Sequence, residues 1–157
     1  MKITKSRKEF INLYQMLGYL GELTGARFTY TISKNKEVLK KVVEEIQKKA
    51  EMHENYKEYE KERVELNEKH TKRDKDGNPV IKDKNYVIKD KAKFDADVEK
   101  LKKKHKDAIE EREQQRKDVE DLANKEITLD LKTIPLSIVP DKVTVDQMEV
   151  LSILIKD

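Results

Sequence analysis

Three histidines, one acidic loop around a glycine, and lysines scattered among tyrosines are the residues from which this 157-residue chain could build chemistry. His53, His70 and His105 stand far apart, whereas a zinc motif sets its paired ligands a few residues from each other. His53 and His105 fall on apolar seams, where a polar layer between helices accounts for them. Asp74-Lys75-Asp76-Gly77-Asn78 has the glycine of a calcium loop but lacks the third acidic ligand before it. Its closing position is Asn85, where a bidentate Glu is required, so the segment reads as a turn. The chain has no cysteine, which removes disulfides and thiolate chemistry. It also lacks a glycine-rich phosphate loop and a serine elbow. The many carboxylates have no apolar pocket in which a pKa would shift, and read as solvated helix faces. The expectation is a protein that is not an enzyme, with no catalytic residue, cofactor or metal.

Two groups of residues are suited to binding. The basic N-terminus, Lys2, Lys5, Arg7 and Lys8, would join Arg27, Lys34 and Lys36 if the termini gather in one head. With Tyr14 and Tyr30 among them, they could hold an anion or a nucleic-acid strand by charge and stacking. Solvated lysines around a core tyrosine are the plainer reading of the same residues. The second group, Val80, Ile81, Tyr86, Val87 and Ile88, is too small for a core; its members cover one another or dock on a partner. The candidate ligand- or partner-binding residues are therefore Arg7, Lys8, Tyr14, Arg27, Tyr30, Lys34 and Asn35 in the head, and Tyr86, Val87 and Ile88 at the far end.

The elements that must position them are mostly helical. Phe10, Leu13, Tyr14, Leu17 and Leu20 make an apolar stripe at three- and four-residue spacing, predicting a helix from about Ser6 to Leu23. Phe28, Tyr30 and Ile32 alternate among β-branched residues, which favours a strand locally. Yet Phe28, Ile32, Asn35, Leu39, Val42 and Ile46 form one helical seam without a phase break. That continuity predicts a helix from near Gly25, with Thr24 as its cap. No Gly or Pro interrupts 26–76, so this helix is expected to run to about Thr71, roughly 70 Å at 1.5 Å per residue. Its partner is a second arm from about Lys91 to Asn124, roughly 50 Å long, along Phe94, Val98, Leu101, Ala108, Val119 and Leu122. Between the arms, Asp76-Gly77-Asn78-Pro79 marks a turn. Val80-Ile81 and Tyr86-Val87-Ile88 then flank the polar turn Lys82-Asp83-Lys84-Asn85 as a small β-hairpin.

Near the C-terminus Ile127, Leu129 and Leu131 alternate with polar residues as a strand would. Pro135 and Pro140 break any helix there. Thr144-Val145-Asp146-Gln147 is a capping box opening a short helix with Met148, Leu151, Leu154 and Ile155. The expected fold is mainly α: a long antiparallel helical hairpin, or coiled-coil stalk, with a small β-hairpin at its tip. Residues 36–73 and 91–125 form the arms, 74–90 the tip, and 1–35 with 126–157 the head, all in one domain.

Composition supports an extended shape. Charged residues make up 43% of the chain, against about 25% in ordinary globular domains. The two signs nearly cancel at +3, which suits ion pairs along exposed helices and argues against a duplex-DNA binder. No apolar run would span a bilayer and the N-terminus does not read as a signal peptide, so a cytoplasmic protein without a membrane partner is expected.

The layout resembles small helical-hairpin proteins encoded by phages and prophages. The likeness is carried by the Leu-rich first helix running into Gly25-Ala26-Arg27-Phe28-Thr29-Tyr30-Thr31-Ile32-Ser33-Lys34-Asn35. It continues in the Asp76-Gly77-Asn78-Pro79-Val80-Ile81 loop, and in Glu126-Ile127-Thr128-Leu129 leading to a terminal Gln147-x-x-x-Leu151 helix. The β-prone Thr29–Ile32 departs from the Ala-rich helix such proteins would carry. A weaker architectural likeness is to prefoldin-type subunits, whose strands form an oligomeric base and not a tip. The resemblance implies a viral origin. With that origin, the absent catalytic kit, the long exposed arms and apolar terminal elements too thin to close a core alone give the expectation of a homo-oligomer in the host cytoplasm that occupies or sequesters a host defence protein or an anionic signalling nucleotide. The alternative expectation is a virion structural or assembly protein, or a prefoldin-like chaperone.

Overall fold

The computed structural model describes residues 1–83 and 85–156. The chain is mainly helical, with two small antiparallel sheets. In chain order, strand β1 (Lys2–Ser6) leads into α1 (Arg7–Met16) and a 3-10 turn (Leu17–Leu20), then α2 (Ala26–Ala50) and α3 (Glu54–His70). Strands β2 (Ile81–Lys82) and β3 (Asn85–Tyr86) precede α4 (Lys91–Lys104) and α5 (Lys106–Asn124). Strand β4 (Glu126–Asp130), a second 3-10 turn (Leu136–Ile138) and α6 (Val145–Ser152) follow. These elements divide into two compact units, Met1–Ala50 with Lys117–Asp157, and Glu51–Arg116.

The first unit gathers both ends of the chain around an apolar core. β1 pairs with β4 antiparallel, Lys2 opposite Asp130 and Ser6 opposite Glu126. This sets Ile3 opposite Leu129, and both pack against the core. Ser6 ends the strand and starts α1. Its hydroxyl accepts from the Glu9 backbone N–H, and the Glu9 carboxylate accepts from the Ser6 N–H at 2.9 Å, a reciprocal capping box. The bonds that the Ser6 N–H, its hydroxyl and Lys5 donate to the Glu9 carboxylate hold it at about 2, against 4.5 ordinarily.

The seam of α2 is read out as its periodicity dictates: Phe28, Ile32, Asn35, Leu39 and Val42 are all buried. They join Phe10, Leu13, Leu17 and Leu20 from the α1 side and Leu131, Ile134, Val150, Leu151 and Leu154 from the C-terminal segment. α2 begins at Ala26, so residues 26–33 are helical in spite of their β-prone types. Burial of Phe28 and Ile32 on one face outweighs a preference worth about 1 kcal/mol at most per residue. Gly25 stands at φ 135 and its carbonyl accepts the first helical bond, from Thr29, so Gly25 and not Thr24 holds the cap position. The Thr144–Gln147 capping box forms as the sequence predicts and opens α6.

The uninterrupted helix expected to Thr71 does not form. α2 stops at Ala50, and His53 takes an extended conformation (φ −68, ψ 152) as the N-cap of α3. The carbonyl of Glu51 bonds instead to Gln115 Nε2 at 2.8 Å, and Asn55 Oδ1 accepts from the Tyr56 N–H. A side-chain amide and a short polar residue thus satisfy the backbone groups that an interruption exposes. The second arm is also interrupted, at His105 (φ −109, ψ 25) between α4 and α5.

Within the Glu51–Arg116 unit, α3 lies antiparallel to α4 and the start of α5. Asn55 reaches Glu111, Tyr59 contacts His105, Glu62 pairs with Lys104, and His70 bonds Asp97. Few side chains there are buried: Tyr59, His70, Thr71 and Ala108. Beyond Thr71, β2 and β3 form the expected small hairpin, Ile81 opposite Tyr86 and Lys82 opposite Asn85. The turn predicted at 82–85 includes Lys84, which lies outside the described residues; Asp83 in that turn has φ 51. Backbone bonds from Val80 to Lys72, from Lys72 to Val87 and from Lys89 to His70 tie the hairpin back to the end of α3.

Candidate functional site

Because α1 runs antiparallel to α2, the basic residues of the expected head do not converge. Arg7 Nε and Nη2 donate to the Glu45 carboxylate at 3.0 and 3.4 Å, near the far end of α2. Arg27 lies eighteen residues earlier on that helix, about 27 Å away along its axis. Lys8 is exposed on the first turn of α1. Arg7 and Lys8 therefore share no surface with Arg27 and Lys34.

The two tyrosines also part company. Tyr14 packs beside α2 with Lys36 Nζ 5.4 Å from its ring centre. Tyr30 stands on the opposite flank of α2, roughly 100° per residue placing it with Arg27 and Lys34. Its ring is 58% exposed. Two ammonium groups lie over it, Lys34 Nζ at 5.8 Å and Lys132 Nζ at 6.0 Å. Lys34 also bonds the Glu37 carboxylate at 2.8 Å, which holds its ammonium above the ordinary lysine value. Neither Lys132 nor Arg27 forms an ion pair among the described residues.

Asn35 is turned into the interior. It is 1% exposed; its Nδ2 donates to the Lys132 carbonyl at 2.9 Å and its Oδ1 accepts from the Lys132 N–H at 2.7 Å. This amide takes the place of a neighbouring strand and pins the backbone of Lys132, which in turn sets that ammonium over Tyr30. Lys132 was not among the residues singled out from sequence; only the tertiary pairing of Asn35 brings it to the flank. The resulting arrangement, an exposed aromatic face under two cations with Arg27 one turn earlier, can stack a planar ring and neutralise an anion.

In the β2–β3 hairpin, Tyr86 is 49% exposed and its cross-strand partner Ile81 58%, whereas Val80, Val87 and Ile88 are half-buried. The exposed pair is thus Ile81 and Tyr86, while Val87 and Ile88 pack inward with the backbone ladder.

His70 and His105 are held by packing, whereas His53, expected on an apolar seam, is exposed at the break before α3. His70 is buried edge-on to Phe94 with Nε2 3.0 Å from Asp97 Oδ2, a bond that draws the Asp97 carboxyl below its usual value. His105 Nε2 lies 3.2 Å from Glu62 Oε1, and Glu62 is lowered chiefly by Lys104. Among the described residues, no three His, Asp or Glu side chains gather as a metal site. Among the described residues, no helix is long and apolar enough to cross a membrane. No family model, curated protein or solved structure matches this chain.

Proposed function

We propose that this is a non-catalytic, phage-encoded binding protein that acts as a homo-oligomer in the host cytoplasm and sequesters an anionic nucleotide. The observation that carries this reading is the exposed Tyr30 ring lying under the Lys34 and Lys132 ammonium groups. A base stacked on such a ring gains about 1–3 kcal/mol, and the flanking cations suit a phosphate. Light scattering tests the oligomer, and titration calorimetry with a panel of cyclic and linear nucleotides tests the ligand. Tyr30→Ala should weaken nucleotide binding by about tenfold or more. If no nucleotide binds, or if Tyr30→Ala binds as tightly as the parent, the nucleotide reading is wrong.

A second reading rests on the exposed Ile81–Tyr86 pair. An apolar cross-strand pair presented on the β2–β3 hairpin suits a protein partner, whether a host defence protein, a virion component or a chaperone client. Loss of partner capture in Tyr86→Ser, with Tyr30→Ala unaffected, would favour it.

A further inference from the structure

We propose that the groove between the α1 end and α2, on the flank opposite Tyr30, is a binding site for a small apolar anion such as a medium-chain acyl carboxylate. The groove has a volume of about 360 Å³, at the lower end of the range for small-molecule pockets. Its floor is the outer side of the core: Leu17, Leu20, Leu23, Phe28 and Ile32. Two glycines open it. Gly18 lies where a Cβ would meet nothing within 4 Å, and Gly21 would meet only the Gly18 carbonyl at 3.5 Å. Neither has a positive φ, so the backbone does not require glycine at either position. What the two glycines provide is room above the apolar floor.

The charge at the rim decides the ligand. Of the three ionisable residues that α2 contributes, Glu37 is turned to Lys34 at 2.8 Å and Lys40 to Glu44 at 3.4 Å. Lys36 forms no ion pair among the described residues and rests only on the Tyr14 ring at 5.4 Å. A single unpaired ammonium at the edge of an apolar trough fits a molecule with one negative head and a hydrocarbon body. Ser33 and Thr29 complete the rim as neutral hydrogen-bonding groups.

Decanoate tests this, titrated into the full-length protein by calorimetry, with decanol as the uncharged analogue. Wild-type protein should bind decanoate and bind decanol about tenfold more weakly or worse. Lys36→Glu should lower decanoate affinity by at least about tenfold. Gly18→Phe, which fills the trough, should abolish binding while leaving the thermal midpoint of the protein unchanged or raised. Ser33→Trp occludes the same space from α2 and keeps the test valid if the Gly18 variant misfolds. Failure of the wild-type protein to bind decanoate overturns the proposal. So does undiminished binding in Lys36→Glu, or in whichever occluding variant remains folded. Gly18→Phe and Lys36→Glu lie off the Tyr30 flank and should leave nucleotide binding through Tyr30 unchanged, so the two readings fail separately.

Discussion

The unit made from both chain ends and the unit from Glu51 to Arg116 are both largely helical, but different forces order them. In the first, thirteen buried apolar side chains from α1, α2 and the C-terminal segment form one cluster. In the second, the apolar seam is thin, and helices are matched by polar contacts: Asn55 with Glu111, Glu62 with Lys104, His70 with Asp97. Burial is non-directional and scales with area, so the first unit gains most of its stability from its core. Exposed ion pairs are each worth little, and serve more to select register than to hold the structure together.

Truncation should expose that difference most strongly. Phe10→Ala, at a site with no solvent exposure, should destabilise the terminal unit by about 3–5 kcal/mol. Denaturant unfolding followed by hydrogen exchange should show the loss in β1, α1 and α2. An equal loss of protection throughout Glu51–Arg116 would mean that the two units unfold as one.

The buried amide is next. Asn35→Leu removes both bonds to Lys132 and strips a part-buried N–H and C=O of their partner, at a cost of about 1–2 kcal/mol. It should also free Lys132 from Tyr30, so nucleotide affinity should fall alongside stability. A stability loss without any change in affinity would separate the amide from the flank.

The α1 cap gives a smaller, pH-dependent effect. Glu9 is held at about 2 by its bonds to Ser6, against 4.5 in an open chain. On acidification the unfolded chain therefore takes up the proton first. The stabilisation is complete above the ordinary value and is lost as pH falls from there toward 2. Ser6→Ala should cost about 1 kcal/mol at neutral pH. It should also move the Glu9 carboxyl part of the way toward 4.5 in an NMR titration, because the hydroxyl bond goes while the larger one from the backbone N–H of residue 6 stays; an unmoved midpoint would show that the hydroxyl plays no part.

Least affected should be Tyr86→Ser. With its ring half exposed on a two-residue strand, the change should alter global stability by less than about 0.5 kcal/mol. A larger drop in the melting profile would show that the hairpin orders the second unit.

Much of the helical content was legible because period and caps act locally. The α2 seam, the Thr144–Gln147 box and the hairpin around Asp83 each follow from neighbours a few residues apart. The breaks at Glu51–His53 and His105 were not, since no Gly or Pro marks either position. The first depends on a Gln115 amide that reaches the Glu51 carbonyl across sixty-four residues. β1 was missed for a related reason. Lys2–Ser6 is too short and too polar to read as a strand alone, and becomes one only by pairing with β4, Thr4 meeting Thr128 at 2.7 Å.

The same division holds for the candidate site. Residue types and spacing by themselves determined that Tyr30, Lys34 and Arg27 share a helix face, because 3.6 residues per turn fixes neighbours along one element. Which other charges reach that face was decided by the tertiary structure alone. Antiparallel packing of α1 carried Arg7 to Glu45, and Asn35 brought in Lys132 from nearly a hundred residues away. Long-range pairing of that kind depends on closing the chain around a shared core, and no local pattern encodes it.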